Sequence, residues 1–598
     1  MNSGPDNRSN PAVASWLRAL ERTAPIPREP LTTLPVVVQR VAAERGEAPA
    51  LTSTEGALSF RALAAQANRY SGWALEQGVS GTDVVCLLMG NCPEYLAVWL
   101  GVTRVGATVA LVNTNLTGDV LLHSLRIVAP KHVIVAAEFA LQVVAIRSRL
   151  AGAARFWVVG ATAADLQPLE AELARQADEA PRPGSFSAPS IDTRALLIYT
   201  SGTTGLPKAA IVSHRRLMQW SHWFAGLLDT QPTDRMYNCL PLYHSVGGIV
   251  ATGATLVAGG TVVLRRRFSA SGFWRDVKGE RCTLFQYIGE LCRYLVNNPP
   301  SDDERGHELR IACGNGLRRE VWDAFQGRFA IPRILEYYAS TEGNFSLYNC
   351  EGEPGAIGRI PGFLAHRVPV AIIRHDVDTG EPRRDAAGFC ERCAPDEPGE
   401  AIGQIQTHGK SGTGVFEGYA DADATARKLL RNVFKAGDLW YRTGDLMRRD
   451  RRGFYYFVDR IGDTYRWKGE NVSTAEVWSA IAGCRGVLEG AVYGVAVPGA
   501  DGRAGMVALV ATPEFDPAAF YGDVAARLPE YARPVFLRLL PALDMTGTFK
   551  PRKQELLREG FDPLLSRDPL YVADGGSGAY VPLDRALWTA IMGGRVRL

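Results

Sequence analysis

The sequence predicts an α/β protein with a large N-terminal domain and a small C-terminal α+β domain. Helical patterns alternate with short β-rich runs through the first half of the chain, as in layered α/β subdomains. Residues 355–412 instead hold short strands and many turns, which predicts a β-rich subdomain. Residues 473–528 add helices and strands that are typical of a separate small domain.

The elements follow from hydrophobic periodicity. "PEYLAVWLGVTRVG" and "LLHSLRIVAP" have helical spacing, and "TVALVNTN" and "HVIVAA" read as strands. From Arg448, "RRDRRGFYYFVDR" predicts a charged turn and a strand. Ser473 and Glu476 form a capping-box pattern ahead of a helix, which the strands "AVYGVAV" and "GMVALVAT" and the helix "AAFYGDVAARL" follow. We place the domain boundary near Asp459 to Asp463.

Composition narrows the function classes. With 598 residues, 46% hydrophobic and 22% charged, the chain has the profile of a soluble globular protein of several domains. A net charge of +3 gives no reason to expect a nucleic-acid partner. Among ten cysteines, only Cys390 and Cys393 form a C-x-x-C, without a second ligand pair. We therefore expect two thiols in a turn and a reducing, cytoplasmic location.

One uncharged segment, residues 247–264, raises the question of a membrane span. Its length just reaches the spanning threshold, but it is rich in Gly, Ala and Thr, and Gly259 and Gly260 interrupt it. A buried helix, a tight turn and the strand "TVVLRRRF" explain it better. The N-terminus is polar and has no apolar signal core.

The stretch "YTSGTTGLPKAAIVSH", residues 199–214, predicts a phosphate-binding loop after the apolar strand "ALLIY". It is not a P-loop, because Pro207 precedes the lysine and Ala209 stands where Ser or Thr is required. This excludes a P-loop ATPase. Glycines expose backbone N–H groups, hydroxyls add donors and a lysine adds charge. The candidate phosphate ligands are Tyr199, Thr200, Ser201, Gly202, Thr203, Thr204, Gly205 and Lys208.

The loop closely resembles that of the adenylate-forming superfamily, which contains acyl-CoA synthetases, peptide-synthetase adenylation domains and luciferases. Its members join a carboxylate to AMP and pass the acyl group to a thiol. The resemblance implies ATP, Mg²⁺ and coenzyme A as cofactors. It also places His244, in "PLYHSVGG", between the nucleotide and the acid pocket, and adenine beside Gly314, Asn315 and Gly316.

The stretch "YYASTEGN" is similar to the family pattern Tyr-Gly-x-Thr-Glu, with Ala339 in place of glycine. The resemblance implies that Tyr338 stacks on adenine and that the Thr341 hydroxyl donates a hydrogen bond to the α-phosphate. It also implies that Glu342 binds the Mg²⁺ ion. In "WYRTGDL", Asp445 resembles the carboxylate that accepts both ribose hydroxyls.

The last two motifs are similar to the family's hinge and its C-terminal lysine. The resemblance implies that Arg460 contacts the ribose or a phosphate. Relatives usually have Asp or Lys at the pivot position that Gly462 occupies here. The pivot of this chain is therefore expected to be Gly462 or its neighbour Asp463. Lys468 and Gly469 fall where relatives pass the pantetheine arm of coenzyme A. Lys550, in "DMTGTFKPRKQEL", aligns with the lysine that bridges the carboxylate and the α-phosphate during adenylation.

Stretches such as "RRRFSASGFWRDV", "FQYIGELCRYL" and "RIGDTYRWKGENVS" narrow the resemblance to the fatty acid transport protein branch, the very-long-chain acyl-CoA synthetases. It covers about residues 51–598. The implied domains are an N-terminal extension (1–50), an AMP-binding domain (51–459), a hinge (460–463) and a mobile C-terminal domain with a family-type tail (464–598).

The implied function is ATP-dependent conversion of long- or very-long-chain fatty acids to acyl-CoA. An acyl-AMP ligase that loads a carrier protein, and a fatty-acid uptake or binding protein, are alternatives. Peripheral membrane contact, at the inner face of the membrane, and a homodimer stay open. Trp220, Trp223, Tyr243 and Tyr287 are candidates to line the acid pocket, and the Gly- and Ala-rich residues 247–260 are expected to leave room for a long chain.

Overall fold

A computed structural model describes residues 11–150, 152, 154–161, 164–182, 184–200, 206–376, 379–406, 415–468, 470–498, 500, 502–547, 550–596 and 598. The chain divides into two compact units. The first unit is Met1–Val368 with Gln404–Leu429, and the second is Pro369–Gly403 with Leu430–Leu598. The hinge at 460–463 lies inside the second unit by this division, and the predicted domain bounds stay a prediction.

The helices of the first unit surround its sheets, and a π-helix, Val246–Gly253, lies between α8 and α9 in the chain. These helices are α1 Pro11–Thr23, α2 Leu34–Arg45, α3 Phe60–Glu76, α4 Pro93–Arg104, α5 Gly118–Arg126, α6 Ala140–Arg147, α7 Glu170–Leu173, α8 His214–Leu228, α9 Ala254–Leu256, α10 Phe273–Gly279, α11 Gly289–Asn297, α12 Arg319–Phe329 and α13 Ala422–Ala426.

Apart from β16, the strands of the first unit form two mostly parallel sheets, with orders β7-β6-β5-β3-β4-β8-β9 and β15-β14-β13-β12-β10-β11-β1-β2. They are β1 Pro49–Ser53, β2 Gly56–Ser59, β3 Val84–Leu88, β4 Thr108–Leu111, β5 His132–Ala136, β6 Arg155–Val159, β7 Gln167–Pro168, β8 Arg194–Thr200, β9 Lys208–Ser213, β10 Arg235–Asn238, β11 Thr261–Leu264, β12 Leu284–Ile288, β13 Ile311–Asn315, β14 Ile334–Ala339, β15 Ser346–Asn349 and β16 Gly358–Arg359.

Burial on both faces explains why the central strands are continuous apolar runs. Every residue of β3 and β4 is buried, as expected for parallel strands covered by helices on two sides. Candidate site residues lie at or just after the carboxyl ends of three other strands: β8 ends at Thr200, β13 at Asn315 and β14 at Ala339. Because β13 and β14 are parallel neighbours, their carboxyl ends meet at one edge, where ligands bind in open α/β sheets.

The second unit has a mixed β-rich part and an α+β part. Its main sheets have orders β23-β22-β20-β17 and β26-β27-β28-β29-β30. The strands are β17 Val370–Ile373, β18 His375–Asp376, β19 Glu381–Pro382, β20 Gly399–Gln404, β21 Leu429–Arg431, β22 Leu439–Arg449, β23 Phe454–Arg460, β24 Tyr465–Trp467, β25 Glu470–Val472, β26 Val487–Ala496, β27 Arg503–Ala511, β28 Phe536–Leu540, β29 Leu570–Asp574 and β30 Ala579–Pro582. The helices are α14 Thr474–Ile481, α15 Pro517–Arg527, α16 Gln554–Glu559 and α17 Arg585–Met592.

The structure confirms the fold class and the elements predicted from periodicity, including α4, α5, β4, β5, β23 and α14. Ser473 caps α14, because its hydroxyl accepts a hydrogen bond from the Glu476 N–H at 3.2 Å. The uncharged segment near Gly247 forms the π-helix, a turn and β11. Among the described residues, the search for a helix with the length and apolarity of a membrane span found none.

Candidate active site

The predicted phosphate loop connects two antiparallel strands. β8 and β9 pair so that Thr200 lies opposite Lys208 at the mouth of the hairpin. A P-loop leads from a strand into a helix, whereas Lys208 begins a strand, so the geometry also excludes a P-loop. Tyr199 is buried and its hydroxyl donates to the Ser124 carbonyl at 2.6 Å. The predicted ligands Ser201, Gly202, Thr203, Thr204 and Gly205 lie outside the described residues.

A buried carboxylate lies beside this hairpin. Glu342 is 7% exposed, and the Tyr419 hydroxyl donates to its Oε1 at 2.7 Å. The Lys208 ammonium lies 5.9 Å from the centre of the Tyr419 ring. Burial lowers the pKa of Lys208, and the nearby cations Arg427 and Lys428 lower it further, while Asp421 and Glu342 oppose them. Lysine, tyrosine and glutamate thus form one polar cluster.

Thr341 is held in place by a hydrogen bond from Arg216, which lies on α8. Its hydroxyl lies 3.3 Å from the Ser245 hydroxyl, and its carbonyl accepts from Arg216 Nη1 at 2.7 Å. Arg216 is buried and also donates to the Val415 carbonyl at 2.8 Å, beside Glu417 at 3.7 Å. Arg216 therefore fixes the backbone that carries Thr341.

The Gly314–Gly316 loop is held by a buried acid that the sequence analysis did not identify. Glu336, on β14, is 1% exposed and accepts from the Tyr287 hydroxyl at 2.5 Å and the Leu317 N–H at 3.1 Å. Burial raises the pKa of Glu336 to about 8. A Cβ on Gly314 would come within 2.3 Å of the Tyr287 carbonyl, and Gly316 has φ +79°, so both positions require glycine.

A small cavity of about 20 Å³ lies beside Ala339 and Ser245, which are the chain neighbours of Tyr338 and His244. Asn315, Ala339, Ser340 and Ser245 belong to its lining, together with apolar residues of α8 and the π-helix. Tyr338 packs against Phe345 with ring centres 5.9 Å apart, and His244 packs against Tyr243 at 4.7 Å. Both rings are half-buried.

The residues expected to line the acid pocket lie in different surroundings. Trp220 lines the cavity, whereas Tyr287 is buried beneath the Gly314–Gly316 loop and Trp223 packs against Trp16. The expectation that the Gly-rich segment leaves room for a chain is wrong for the glycines of the π-helix. A Cβ on Gly248 would lie 2.4 Å from the Leu242 carbonyl, so these glycines permit close backbone packing instead of open space.

In the second unit, Asp445 and Arg460 are paired across neighbouring strands. They lie opposite each other in the β22–β23 ladder, and Arg460 Nε is 3.5 Å from Asp445 Oδ1. Asp445 is buried, whereas the Arg460 side chain is 49% exposed. The pair presents one fixed carboxylate and one accessible cation.

The predicted catalytic residue Lys550 and the predicted cofactor-binding residue Lys468 lie on turns of the second unit. The Lys550 N–H donates to the Thr546 hydroxyl at 3.0 Å, and the like charge of Arg460 lowers the pKa of the Lys550 ammonium to about 8. Lys468 has φ +51° and its ammonium lies 3.2 Å from Glu530. The second unit therefore brings Asp445, Arg460 and Lys550 into one electrostatic group, and it holds Lys468 by a different ion pair. Gly469 lies outside the described residues.

The predicted pivot contains a glycine with a positive φ angle. Gly462 has φ +94°, which L side chains rarely adopt, and no atom lies within 4 Å of an added Cβ. Asp463 next to it forms an ion pair with Lys553 at 3.3 Å. Lys553 was not identified from the sequence, although it stands three residues after Lys550.

Three other residues of the site escaped the sequence analysis: Arg216, Glu336 and Tyr419. An acid in the apolar run "RILEYY" is a signal of a buried, partnered carboxyl group, and it points to Glu336. Arg216 and Tyr419 act through contacts with residues more than 75 positions away, as the hydrogen bond from Tyr419 to Glu342 shows. Such pairings have no local sequence signal.

The site and the fold together define an enzyme of the AMP-binding class, and the sequence comparison agrees. Residues 38–420 match the family of AMP-binding enzymes, and the chain belongs to this family. The first predicted resemblance, to the adenylate-forming superfamily, is confirmed.

Relatives with curated names support the narrower resemblance. The chain is 41% identical over 573 residues to mouse long-chain fatty acid transport protein 1, covering 94% of this chain and 88% of that protein. It is 40% identical over 551 residues to the medium/long-chain-fatty-acid–CoA ligase FadD6 of Mycobacterium tuberculosis, covering 91% and 89%. Among solved structures, an anthranilate CoA ligase in complex with anthranoyl-AMP is similar with a TM-score of 0.73 at 19% identity, covering 87% of this chain and 95% of that one. This structural likeness confirms the fold.

Proposed function

We propose that this protein converts long- or very-long-chain fatty acids to acyl-CoA through an acyl-adenylate, with release of pyrophosphate and AMP. The observation that carries the proposal is the meeting of motifs that are far apart in the sequence. Thr200 and Lys208 pair at the hairpin, Tyr419 joins Glu342 to that hairpin, and Ser245 reaches Thr341. Relatives named as fatty acid transport proteins and as a fatty-acid–CoA ligase support the substrate class.

In this proposal the first unit binds the nucleotide. The Gly314–Gly316 loop, held by Glu336, offers a flat backbone surface to adenine, and Tyr338 offers a ring face. Lys208 and the hairpin residues bind the β- and γ-phosphates. Asp445 accepts both ribose hydroxyls and Arg460 contacts the ribose or a phosphate.

The donor set fits a magnesium ion that arrives with ATP. Mg²⁺ is usually held by one or two carboxylates together with substrate phosphates, and Glu342 supplies a single buried carboxylate. When bound, Mg²⁺ would neutralise phosphate charge. The Tyr419 hydroxyl orients the Glu342 carboxylate by hydrogen bonding to one of its oxygens.

The first half-reaction brings two anions together. A fatty-acid carboxylate oxygen attacks the α-phosphorus of ATP, an acyl-phosphate bond forms, and the bond to pyrophosphate breaks. Lys550 and Thr341 lower the repulsion between the carboxylate and the α-phosphate by donating hydrogen bonds to their oxygens. His244 separates the nucleotide from the acid pocket.

The second half-reaction transfers the acyl group to sulfur. The coenzyme A thiol loses its proton and attacks the acyl carbonyl carbon, and AMP leaves with the electron pair of the broken bond. Lys468 and Gly469 flank the pantetheine arm. The separate anchoring of Lys468, by Glu530, supports a division of work between the two lysines.

We further propose a cytoplasmic enzyme that contacts membranes peripherally, because long acyl chains partition into lipid. The proposal includes a homodimer. Sedimentation with phospholipid vesicles, compared with and without bound fatty acid, tests the membrane contact, and light scattering tests the dimer.

The decisive experiment for the function is an acid panel from acetate to a C24 acid with ATP and coenzyme A, read by acyl-CoA mass. We expect acyl-CoA from the long-chain acids only. Preference for acetate or benzoate would reject the substrate class. Product only with a phosphopantetheinyl carrier protein would favour the acyl-AMP ligase, and binding without pyrophosphate release would favour an uptake protein.

A further inference from the structure

The turn that carries Lys550 is held in shape by contacts between its own two arms. The Lys550 N–H donates to the Thr546 hydroxyl at 3.0 Å, and the Thr546 N–H donates to the Lys550 carbonyl at 2.8 Å. Further along, the Arg552 N–H donates to the Asp544 carbonyl at 2.8 Å. All of these contacts lie within residues 544–552, so they fix the shape of the turn and not its place in the second unit.

Lys553, directly after this turn, connects it to two other elements. The Lys553 ammonium donates to the Thr474 hydroxyl, at the start of α14, at 3.4 Å. It also lies 3.3 Å from a carboxylate oxygen of Asp463, which follows Gly462 in the predicted pivot. The Lys553 side chain is 19% exposed and the Asp463 side chain is 37% exposed, so water screens this ion pair only in part.

Both partners of Lys553 are tied to the end of strand β23. The Asp459 carboxylate, on that strand, is 3% exposed and accepts from the Thr474 N–H at 2.5 Å and from the Arg460 N–H at 2.8 Å. The Asp463 N–H donates to the Arg460 carbonyl at 3.0 Å. Lys553 therefore places its turn relative to the end of β23.

The charge of Asp463 acts on the predicted catalytic lysine as well. Arg460 lowers the pKa of the Lys550 ammonium to about 8, while the carboxylates of Asp445 and Asp463 oppose this effect. Asp463 therefore lies within electrostatic range of the ammonium groups of both Lys550 and Lys553. A lysine side chain has a flexible stem, so its ammonium can turn toward an unpaired carboxylate. An ammonium that is paired in this way is withdrawn from the reacting oxygens.

We propose that Lys553 is a positioning residue for acyl-AMP formation. By binding Asp463, it keeps that carboxylate away from Lys550 and leaves the Lys550 ammonium available to the fatty-acid carboxylate and the α-phosphate. This inference rests on the proposed function. Lys468, expected at coenzyme A, is held by Glu530 instead, so the effect of Lys553 should be confined to the first half-reaction.

The test separates the two half-reactions in Lys553→Met, which keeps most of the length of the side chain and removes its charge. We expect kcat for pyrophosphate exchange to fall about tenfold, as for the misdirection of one hydrogen bond from a charged group. Thioester formation from supplied acyl-AMP should stay within about twofold of wild type. Lys553→Gln, which can still donate to Thr474, should show the same loss, because the charge that binds Asp463 is absent.

Removal of the competing carboxylate gives the sharpest readout. In the double variant Lys553→Met/Asp463→Asn, Lys550 has lost this alternative partner, and pyrophosphate exchange should recover to within about threefold of wild type. A purely structural role of the ion pair predicts no such recovery, because the double variant still lacks the pair. Thermal melting verifies that each variant is folded.

Arg552→Met is the matched control, because it removes the neighbouring cation of the same segment. Arg552 pairs with Asp544 at 3.7 Å, whereas Lys553 pairs with Asp463. The control should leave pyrophosphate exchange within about threefold of wild type, as for the loss of an exposed ion pair. Unchanged exchange in folded Lys553→Met and Lys553→Gln, or no recovery in the double variant, would overturn the positioning role. A wild type that forms no acyl-CoA from any long-chain acid would instead overturn the proposed function.

Discussion

The two units differ in the charged candidate site residues that they leave exposed. In the first unit the two acids are buried and accept hydrogen bonds: Glu336 is 1% exposed and Glu342 is 7% exposed. In the second unit the cations are accessible, with side-chain exposure of 49% for Arg460 and 44% for Lys468. The difference indicates a pre-organised nucleotide site in one unit and adjustable charges in the other, because exposed ion pairs are weak and easily exchanged.

The largest effect on activity is expected from replacing Lys550, a cation of the second unit. Lys550→Ala is expected to lower kcat for acyl-AMP formation by about 10²- to 10³-fold, since it removes a donor to developing charge. Attack of coenzyme A on supplied acyl-AMP should stay within a few-fold of wild type. Pyrophosphate exchange and thioester formation from synthetic acyl-AMP measure the two steps.

Lys468→Ala is the matched control for that prediction, because it also removes a lysine from a turn of the second unit. It should impair thioester formation and spare pyrophosphate exchange. If both variants lost the two half-reactions equally, the division of work between the lysines would be wrong.

The next effect should come from the buried acid under the Gly314–Gly316 loop. Glu336→Leu leaves the Tyr287 hydroxyl and the Leu317 N–H without their partner, and we expect KM for ATP to rise about tenfold. Glu336→Gln resembles the neutral carboxyl that a pKa of about 8 favours at pH 7, and it should stay near wild type. Equal KM values in the two variants would argue against a positioning role.

Glu336 also gives a pH signature. Its folded-state pKa is raised from 4.5 to about 8, so its contribution to stability is complete below pH 4.5 and is lost as the pH rises through 8. Thermal melting should therefore show a steeper loss of stability between pH 5 and pH 8 for wild type than for Glu336→Gln. Parallel curves would mean that Glu336 does not titrate in this range.

A smaller effect is expected for Tyr419→Phe, which keeps the ring near Lys208 and removes the hydroxyl from Glu342. The Kd for MgATP should rise about fivefold, because the loss of one typical hydrogen bond costs about 1 kcal/mol. Isothermal titration with MgATP and with ATP in EDTA measures it. A loss of affinity that is the same with and without Mg²⁺ would place Tyr419 outside the metal site.

The smallest effect concerns the pH dependence of adenylation. Lys550 has its pKa lowered to about 8 and acts as the ammonium, so adenylation should decline as the pH rises through 8. Arg460→Gln removes the largest cause of the shift and should move this alkaline limb upward by about one pH unit. A limb that does not move would show that another group titrates.

Periodicity was sufficient for the fold class, because elements such as α4 and β4 have apolar residues at the spacing that burial requires. The site motifs could be identified along the sequence. The residues that hold those motifs in place could not. Arg216 meets Thr341 and Val415, and Trp16 meets Tyr348, only because the sheets bring remote segments together. The tight packing of Gly248 against the Leu242 carbonyl was equally invisible in a Gly-rich stretch that suggested open space.

The most direct test of the account follows oxygen atoms from a fatty acid labelled with ¹⁸O in both carboxylate positions. If the carboxylate attacks the α-phosphorus, turnover with ATP and coenzyme A must leave one ¹⁸O in the phosphate of AMP and one in the thioester carbonyl. Mass spectrometry of both products measures this transfer. Release of ADP, or of AMP without ¹⁸O, would contradict the acyl-adenylate route on which the assignment of every site residue depends.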